Sequence, residues 1–374
     1  MLPESPPTNC KRTLLPFVGC CSGFLQAQRT SDGASRGTLE RHPGTQCTDC
    51  WLTCGVRVLV TGAFGFVGTA VVRRLVMSGH TVVALTRQPE GAQLPASGAG
   101  EVEAGETETV HGDVRSFKMM ERLAATVDGV CHLAALTRIR ESFARPGEYF
   151  SVNAAGTAAV VSALLCAAAA QGRPGRLVLA STAAVYGQAP HSPIAESTPV
   201  VPLSPYGASK VAAEGMALSA ASHGGLGVTV LRAFNVAGAV DGRTDTDLTR
   251  IIPKALAVAR GLEPVLEVNG DGSAVRDYVH VDDLARAFVL ALEQSSPGEG
   301  AVYNVGATAA SVASVIESVS RVSGGGPIPV KHLPPKPEAA SVLADTARIR
   351  AELGWEPRRS GLDEIVADAW AAGR

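Results

Sequence analysis

The chain has 374 residues, of which 46% are hydrophobic, and a formal net charge of −2. It can bury a large core as one big domain or two, and the lack of Lys/Arg clusters disfavours nucleic acid as a partner. No apolar run approaches the ~20 residues of a membrane span, because "AAVVSALLCAAAAQG" is too short and too rich in alanine. These features favour a soluble, cytoplasmic protein that contacts neither a membrane nor nucleic acid.

The first part of the chain, Met1 to Cys54, has little hydrophobic periodicity and many Pro, Gly, Ser and Thr residues. We therefore expect a disordered extension or a misassigned start. Most of the cysteines lie here, and Cys47-x-x-Cys50 with Cys54 raises the alternative of a metal site. No second CxxC or paired His stands at zinc-finger spacing, so we predict no metal.

The first predicted strand, "RVLVTG", is followed by a turn with Gly62, Gly65 and Gly68 and then by an apolar helix that runs to Ser78. Glycine in such a turn lets a ligand approach the backbone, and the start of the helix offers unpaired N–H groups to a pyrophosphate. The spacing is GxxGxxG rather than the commoner GxGxxG. The turn predicts a dinucleotide site, and glycines needed only for packing are the alternative.

Strands and helices then alternate along the chain. Further strands are predicted at "HTVVALTR", "TVHGDV", "DGVCHLAAL", "GRLVLAST" and "GVTVLRAFN", with a long alanine-rich helix from about Pro146 to Ala170 and another starting near Pro205. The stretch from Gly91 to Gly105 is typical of a surface loop. This rhythm predicts an α/β fold with a doubly wound, Rossmann-type parallel sheet over residues 55–236. The irregular remainder, 237–374, predicts a smaller substrate-binding lobe with some segments returning to the sheet.

Polar groups follow several of these strands, at the edge where ligands collect in a doubly wound sheet. Asp113 follows the third strand and is placed to accept a hydrogen bond from an adenine amine, while "HLAAL" after the fourth offers small residues to a flat ring. Ser181 and Thr182 end the fifth strand, and Asn235 follows the sixth. The alternatives are a turn residue at Asp113 and a helix cap at Ser181 or Thr182.

The segment "SPYGASK" places Tyr206 and Lys210 four residues apart at the start of a helix, so they share one face. A tyrosine pKa of about 10 is too high for a base at neutral pH, and we expect the ammonium one turn away to lower it. The phenol would then exchange a proton with a sugar or alcohol hydroxyl, and Thr182 would share a hydrogen bond with the same oxygen. A tyrosine that is simply packed is the alternative.

The region from about Val56 to Arg374 resembles the extended short-chain dehydrogenase/reductases, the NAD-dependent epimerase/dehydratase family. The resemblance lies in seven motifs, which occur in the order TGAFGFVG, HGDV, HLAAL, VNAAGT, STAAVYG, YGASK and RAFNVAGA. "VNGDGSAVRDYVHVDDLARA" is similar to a segment of the UDP-glucose 4-epimerases within that family. The resemblance implies that the catalytic residues are Thr182, Tyr206 and Lys210. It implies a cofactor site formed by Gly62, Gly65, Phe66, Val67, Gly68, Thr86, Arg87, Asp113, Val114, Leu133, Ala134, Ala135, Asn153, Tyr206 and Lys210. It implies that the substrate contacts Thr137, Thr182, Asn235 and Arg276.

Some positions depart from the pattern of that family. After the second strand its NAD-users usually carry an acidic residue, whereas this chain has Thr86 and Arg87, so NAD is expected with NADP as an alternative. Thr137 replaces a lysine of the epimerases. Near the last phosphate contact the chain reads "PKPEAASVLAD", with Lys336 as a substitute for the usual arginine. These departures leave the identity of the sugar open.

Two further positions bear on the reaction. Alanines at 183 and 184 stand where the 4,6-dehydratases of the family carry an Asp-Glu pair, so dehydration is disfavoured. The Arg276 guanidinium suits the oxygens of a nucleoside diphosphate, and a salt bridge to Asp277 or Asp283 is the alternative.

The resemblance thus implies an epimerase that interconverts UDP-glucose and UDP-galactose, or a related UDP-hexose, at carbon 4 through a transient 4-keto sugar. An NADP-dependent reductase of a 4-keto sugar nucleotide is the alternative, because it needs the same residues. A non-catalytic dinucleotide-sensing protein is disfavoured by the presence of Tyr206 and Lys210. The family also implies a homodimer, with the helix from Pro146 to Ala170 and the helix carrying Tyr206 as the candidates for the contact.

Overall fold

The computed structural model describes residues 55–88, 106–173, 175–222, 225–337 and 339–373. Our predictions for Met1–Cys54, including its cysteines, and for the loop from Gly91 to Gly105 lie outside these ranges. Within them, no group of three or more His, Cys, Asp or Glu side chains is arranged to hold a metal ion.

The strands of the described residues are β1 (Arg57–Thr61), β2 (Thr81–Thr86), β3 (Thr107–His111), β4 (Gly129–His132), β5 (Gly175–Thr182), β6 (Leu226–Ala233), β7 (Asn235–Ala237), β8 (Ala239–Val240), β9 (Arg243–Thr244), β10 (Leu266–Asn269), β11 (Val275–His280), β12 (Gly300–Val305), β13 (Thr308–Ser311), β14 (Val330–Leu333) and β15 (Ser341–Val342). Seven of them form one sheet in the order β12-β6-β5-β4-β1-β2-β3, and every neighbouring pair is parallel. The predicted doubly wound sheet is confirmed.

The helices are α1 (Phe66–Met77), α2 (Phe117–Ala124), α3 (Ile139–Ala144), α4 (Pro146–Tyr149), α5 (Gly156–Gln171), α6 (Pro205–Ser222), α7 (Ile251–Ala259), α8 (Val281–Gln294), α9 (Val312–Ser323), α10 (Ala347–Leu353) and α11 (Leu362–Ala372). They cover both faces of the sheet. Along β1, Val58 and Val60 pack with residues of α1 and α8, whereas Leu59 packs with residues of α2, α5 and α6. Alternate side chains of a strand point to opposite faces of the sheet. Because helices cover both faces, all of these side chains are buried, and the strands appear in the sequence as continuous apolar runs.

The alanine-rich helix has the length predicted from the sequence, to within one residue. It runs without a break from Pro146 to Gln171, with a π-helical segment at Phe150–Ala155 between α4 and α5. Its 26 residues are long and apolar enough to cross a membrane by length and composition alone, so our prediction that this run is too short was wrong. The helix packs against α2 and α6, and 56% of its most apolar window is buried inside the protein. Burial of this helix against α2 and α6 therefore accounts for its apolar composition.

A smaller group of strands and helices follows β6. Strand β11 pairs with β7 and β15 in parallel and with β13 in antiparallel orientation, and β10 pairs with β14. Helices α7, α9 and α11 cover these strands with a core of their own. The chain also returns to the large sheet, because β12 pairs with β6 at its edge. Phe234 separates β6 from β7, so the predicted strand "GVTVLRAFN" is two strands that belong to different sheets.

Candidate active site

The turn between β1 and α1 needs its glycines for two reasons. Gly62 has a φ of +69°, and a Cβ there would stand 2.8 Å from the backbone nitrogen of Ala134. A Cβ at Gly68 would stand 2.1 Å from the Gly62 carbonyl oxygen, so the packing of β1 against α1 excludes one. Gly65 is less confined, because its Cβ would lie 3.2 Å from the same oxygen. Packing therefore accounts for glycine at Gly62 and Gly68, whereas at Gly65 it disfavours a side chain less strongly.

A single cleft of about 1660 Å³ runs along the carboxyl edge of the large sheet, from the glycine turn past Tyr206 to Arg276. We call it the active-site cleft. Its walls include all but one of the residues that the sequence assigns to cofactor and substrate. These are Gly62, Gly65, Phe66, Val67, Gly68, Thr86, Arg87, Asp113, Val114, Leu133, Ala134, Ala135, Thr137, Thr182, Tyr206, Lys210, Asn235 and Arg276. Lys336 also lines it.

Asn153 does not reach the active-site cleft. Its side chain is 1% exposed, and its amide oxygen accepts from the Leu136 backbone nitrogen at 2.8 Å. Its amide nitrogen donates to the Leu136 carbonyl and to the Ser209 hydroxyl, both at 3.0 Å. All of these bonds lie inside the protein, so Asn153 braces the wall of the cleft, and its contact with the cofactor stays a prediction.

Tyr206 is 7% exposed, and its ring packs edge-on against Tyr149 with 6.3 Å between ring centroids. Burial raises the pKa of the Tyr206 phenol above its ordinary value, because a buried phenolate loses its hydration. Thr182 and the positive charge of Arg250 oppose this rise without cancelling it. The expected hydrogen bond between Thr182 and Tyr206 stays a prediction, whereas the prediction of a lowered pKa was wrong.

Lys210 explains part of that difference. Its Nζ donates to the Ala180 carbonyl of β5 at 2.9 Å, so the ammonium is directed at the backbone of the strand. Burial also lowers the pKa of Lys210 to about 8, and the Glu214 carboxylate opposes this lowering. Four-residue spacing does place both functional side chains on one face of α6. It does not determine where the ammonium points.

The residues after β2 and β3 lie at one end of the cleft. Asp113 accepts from the Arg115 side chain at 2.6 and 3.0 Å and from its backbone nitrogen at 2.9 Å. The Arg115 hydrogen bond lowers the pKa of Asp113, so this carboxylate is ionised and also forms a turn. Thr86 is 5% exposed and accepts from the Gln88 backbone, whereas Arg87 is exposed. Both residues line the active-site cleft, and Arg87 is the more exposed of the two.

Asn235 and Arg276 lie together at the other end of the cleft, because β7 pairs with β11. The Asn235 amide donates to the Asp277 carbonyl at 2.8 Å, and Arg276 Nη1 donates to the backbone of its own strand. Asp277 accepts from the backbone nitrogens of residues 307 and 344, at 2.6 and 2.9 Å. Asp283 accepts from the backbone nitrogens at 358 and 359. The two carboxylates proposed as salt-bridge partners of Arg276 are thus occupied with backbone groups.

The structure also brings a buried histidine to the site. His132 Nδ1 lies 2.7 Å from Thr61 Oγ1, and its Nε2 lies 3.1 Å from Thr157 Oγ1. Thr61 Oγ1 in turn accepts from the backbone nitrogens of Leu133 and Ala134, both at 3.1 Å. These bonds join the end of β4 to the glycine turn. His132 stands at the start of "HLAAL", but only the small residues that follow it were assigned a role from the sequence.

Ion pairs in the loop before α7 were also missed. Arg250 Nη1 lies 3.0 Å from Asp245, and Arg138, from the opposite wall of the cleft, lies 3.7 Å from Asp247. All four side chains line the active-site cleft. The loop has no periodic pattern, so the sequence carried no signal that placed it beside Tyr206.

Comparison with known proteins identifies the family. A model of the NAD dependent epimerase/dehydratase family matches residues 58–306. The UDP-glucose 4-epimerase of Streptomyces lividans is 38% identical in an alignment of 328 positions, which covers 84% of this chain and 95% of that protein. The chain belongs to the NAD dependent epimerase/dehydratase family.

Solved structures of this family share the fold. UDP-glucose-4-epimerase from Stenotrophomonas maltophila, solved with NAD and formylated UDP-arabinopyranose, is 30% identical with a TM-score of 0.75, covering 85% of this chain and 97% of that one. MoeE5, solved with UDP-glucuronic acid and NAD, is 33% identical with a TM-score of 0.72, covering 85% of this chain and 98% of its own. The resemblance found in the motifs is confirmed.

Proposed function

We propose that this chain is an NAD-dependent epimerase that inverts carbon 4 of a UDP-sugar, such as UDP-glucose or UDP-galactose. The observation that carries this proposal is one cleft lined both by the glycine turn before α1 and by Thr182 and Tyr206. A dinucleotide and a hydroxyl-bearing substrate could therefore meet at the phenol. The relatives named UDP-glucose 4-epimerase support the same reaction.

The residues of the cleft fit a dinucleotide. Helix α1 begins after Gly65 with no side-chain cap and no acidic residue in its first turn, so its N–H groups are available to a pyrophosphate. The cleft of about 1660 Å³ is larger than the roughly 300–1,000 Å³ of a site for one drug-sized ligand. There is room for a dinucleotide and a nucleotide sugar together.

The reaction assigns a separate task to each side chain at the phenol. A bound NAD would supply an acceptor for the hydride of carbon 4 and would be its source when the hydride returns to the opposite face. Deprotonated Tyr206 would take the proton of the 4-hydroxyl as the hydride leaves carbon 4, which leaves a ketone there, and the phenol would give this proton back when the hydride returns. Thr182, which lines the same cleft, would hydrogen-bond the phenol oxygen. The Lys210 ammonium supplies positive charge beneath the site.

The proposed substrate contacts lie at the end of the cleft formed by β7 and β11. Asn235 and Arg276 would bind the diphosphate, because an amide and a guanidinium donate to phosphate oxygens. Thr137 and Thr182 would face the sugar. Relatives were solved with pentose and uronic acid derivatives of UDP, so the identity of the sugar has to be determined by experiment.

We also propose that the protein is a cytoplasmic homodimer. Helix residues Phe150 and Leu165 are 41% and 37% exposed, although they belong to the long apolar helix that otherwise packs inside. Pairing of this helix and α6 with those of a second copy would bury both side chains. Light scattering of the purified protein tests the dimer, and a single-chain mass would contradict it.

One observation favours a second candidate, an NADP-dependent reductase of a 4-keto sugar nucleotide. Arg87 is the exposed cation after β2, at a position where a 2′-phosphate would lie. The deciding experiment incubates the purified protein with UDP-glucose and follows the formation of UDP-galactose by chromatography, without added cofactor. An epimerase forms UDP-galactose without net consumption of NAD or NADPH. Consumption of NADPH with a 4-keto sugar nucleotide, and no interconversion, would establish the reductase.

A further inference from the structure

The segment "SPYGASK" contains a serine that has no part in the proposed reaction. Ser209 lies on helix α6 between Tyr206 and Lys210 and is fully buried. Its hydroxyl donates to the backbone carbonyl of Tyr206 at 2.7 Å. A carbonyl oxygen can only accept, so the lone pairs of the hydroxyl are left for a donor from another element. The Asn153 amide is such a donor, at 3.0 Å.

Hydrogen bonds at both ends of the Asn153 amide fix its orientation. Its oxygen accepts from the Leu136 backbone nitrogen, and its nitrogen donates one hydrogen to the Leu136 carbonyl and the other to Ser209. If the amide were turned over, its oxygen would face the carbonyl and its nitrogen would face the N–H group. Asn153 belongs to the π-helical segment Phe150–Ala155, and such segments are frequent at functional sites. The side chain therefore bridges residue 136 and helix α6.

We call residues 133–136, which follow β4, the wall segment. The first three line the active-site cleft, where the sequence predicts contact with a flat cofactor ring. Thr61 accepts from the two N–H groups at its beginning, both at 3.1 Å, and Asn153 binds the residue at its end. These two anchors are joined through His132 and Thr157, whose hydroxyl donates to the Asn153 carbonyl at 2.6 Å. One continuous chain of buried hydrogen bonds thus runs from the end of β1 along the wall segment to helix α6.

We propose that Ser209 is a positioning residue for the proposed epimerisation, because its hydroxyl fixes the distance between the wall segment and the part of α6 that carries Tyr206. The inference rests on the proposed function, in which hydride leaves carbon 4 for the cofactor while the proton of the 4-hydroxyl leaves for Tyr206. Both acceptors must then stand at a fixed spacing around one carbon atom. Ser209 is buried outside the active-site cleft, so it acts through the two elements that it joins.

The first test separates turnover from binding. Ser209→Ala removes the hydroxyl, leaves one Asn153 N–H group without its acceptor and allows the wall segment to shift relative to α6. A misplacement of about 1 Å can cost a hundredfold in rate, so kcat should fall by about tenfold to a hundredfold. Initial rates of UDP-galactose formation from UDP-glucose measure this. The affinities for NAD and for UDP, measured by isothermal titration, should change little, because the glycine turn, Thr61 and strands β7 and β11 are untouched.

Ser295→Ala is the matched control. Ser295 is buried at the end of helix α8 and donates to the Ala291 carbonyl of its own helix at 2.6 Å, while the Thr229 hydroxyl of β6 lies 2.9 Å from its oxygen. Like Ser209 it joins its helix to another element, but these partners belong neither to the wall segment nor to α6. We expect a similar fall in the thermal midpoint and an unchanged kcat. A kcat that Ser209→Ala retains, or loses no more than Ser295→Ala does, would show that Ser209 is only structural and would overturn the proposal.

Hydrogen exchange tests the link without a substrate. In Ser209→Ala the Leu136 amide should exchange faster by up to about tenfold, since its acceptor Asn153 has lost one hydrogen bond. The same amide should keep its wild-type rate in Ser295→Ala. Unchanged exchange in Ser209→Ala would refute the link, whichever reaction the protein catalyses. Absence of epimerase activity in the wild type would instead refute the proposed function.

Ser209→Cys keeps the proposal testable if Ser209→Ala does not fold. The thiol fills the space of the hydroxyl but is a weak donor and a weak acceptor. It should lower kcat and speed the exchange of the Leu136 amide, while the affinity for NAD changes little. A folded Ser209→Cys variant with the kcat and the exchange rate of the wild type would overturn the proposal.

Discussion

His132 Nδ1 lies 2.7 Å from Thr61 Oγ1, and this bond has a defined direction. The Thr61 oxygen already accepts from two backbone N–H groups, at Leu133 and Ala134, so its own hydrogen is donated to Nδ1. His132 is therefore protonated at Nε2, which donates to the Thr157 hydroxyl at 3.1 Å. A doubly protonated imidazole would leave Nδ1–H facing an oxygen with no free lone pair.

This network makes stability depend on pH. Burial lowers the pKa of His132 to about 3, whereas the unfolded chain titrates near 6.5, so between these values the unfolded state binds the extra proton. The contribution of neutral His132 to the free energy of unfolding should be fully present above pH 6.5. Below pH 6.5 the free energy of unfolding should fall by up to about 1.4 kcal/mol per pH unit. Urea denaturation at pH 7 and pH 5 measures this. His132→Gln, which does not titrate, should lose less between the two pH values, and an equal loss would contradict the assignment.

Tyr206→Phe should abolish turnover and leave cofactor binding intact. The change removes one oxygen, and the ring keeps its edge-on contact with Tyr149. Loss of the proton-transferring group should lower kcat by at least ~100-fold. Initial rates and a fluorescence titration with NADH measure the two effects. Tyr149→Phe is the matched control, because its phenol donates to the Arg138 carbonyl and not to the substrate, so it should retain most of its turnover.

The glycine turn allows packing to be separated from cofactor binding. Gly68→Ala should destabilise the protein, since the new Cβ would stand 2.1 Å from the Gly62 carbonyl oxygen. Gly65→Ala places its Cβ at 3.2 Å from that oxygen, so we expect a smaller fall in the thermal midpoint than in Gly68→Ala, together with a weaker affinity for NAD, because the methyl group would stand at the proposed pyrophosphate site. Calorimetry and isothermal titration measure both quantities. Unchanged NAD affinity in Gly65→Ala would argue against phosphate binding at this turn.

Arg87→Ala tests the choice of cofactor. If the exposed guanidinium faces a 2′-phosphate, its loss should weaken NADP binding by about tenfold to a hundredfold, since a charge-assisted hydrogen bond contributes roughly 1.5–3 kcal/mol. NAD affinity should change little. Both affinities are measured by titration of the wild type and the variant. Equal affinities for the two cofactors before and after the change would remove the phosphate role of Arg87.

Local features of the sequence determined the fold and most of the cleft. Continuous apolar runs located β1 to β6, and period-3.6 patterns located the long helices. The residues that follow the strands meet at one edge of a doubly wound sheet. This is why Thr182, Tyr206 and Asn235 could be assigned to one site. Strand β12 could not be placed, because its pairing with β6 joins segments that lie far apart in the chain.

Only the tertiary structure decided the electrostatics of the site. The pKa of Tyr206 depends on burial, on Thr182 and on Arg250, which lies on a loop 44 residues further along the chain. The direction of the Lys210 ammonium depends on a carbonyl of β5. Side-chain spacing along one helix places groups on a common face. Their hydration and their charged neighbours come from other elements, and these set the protonation of a buried group.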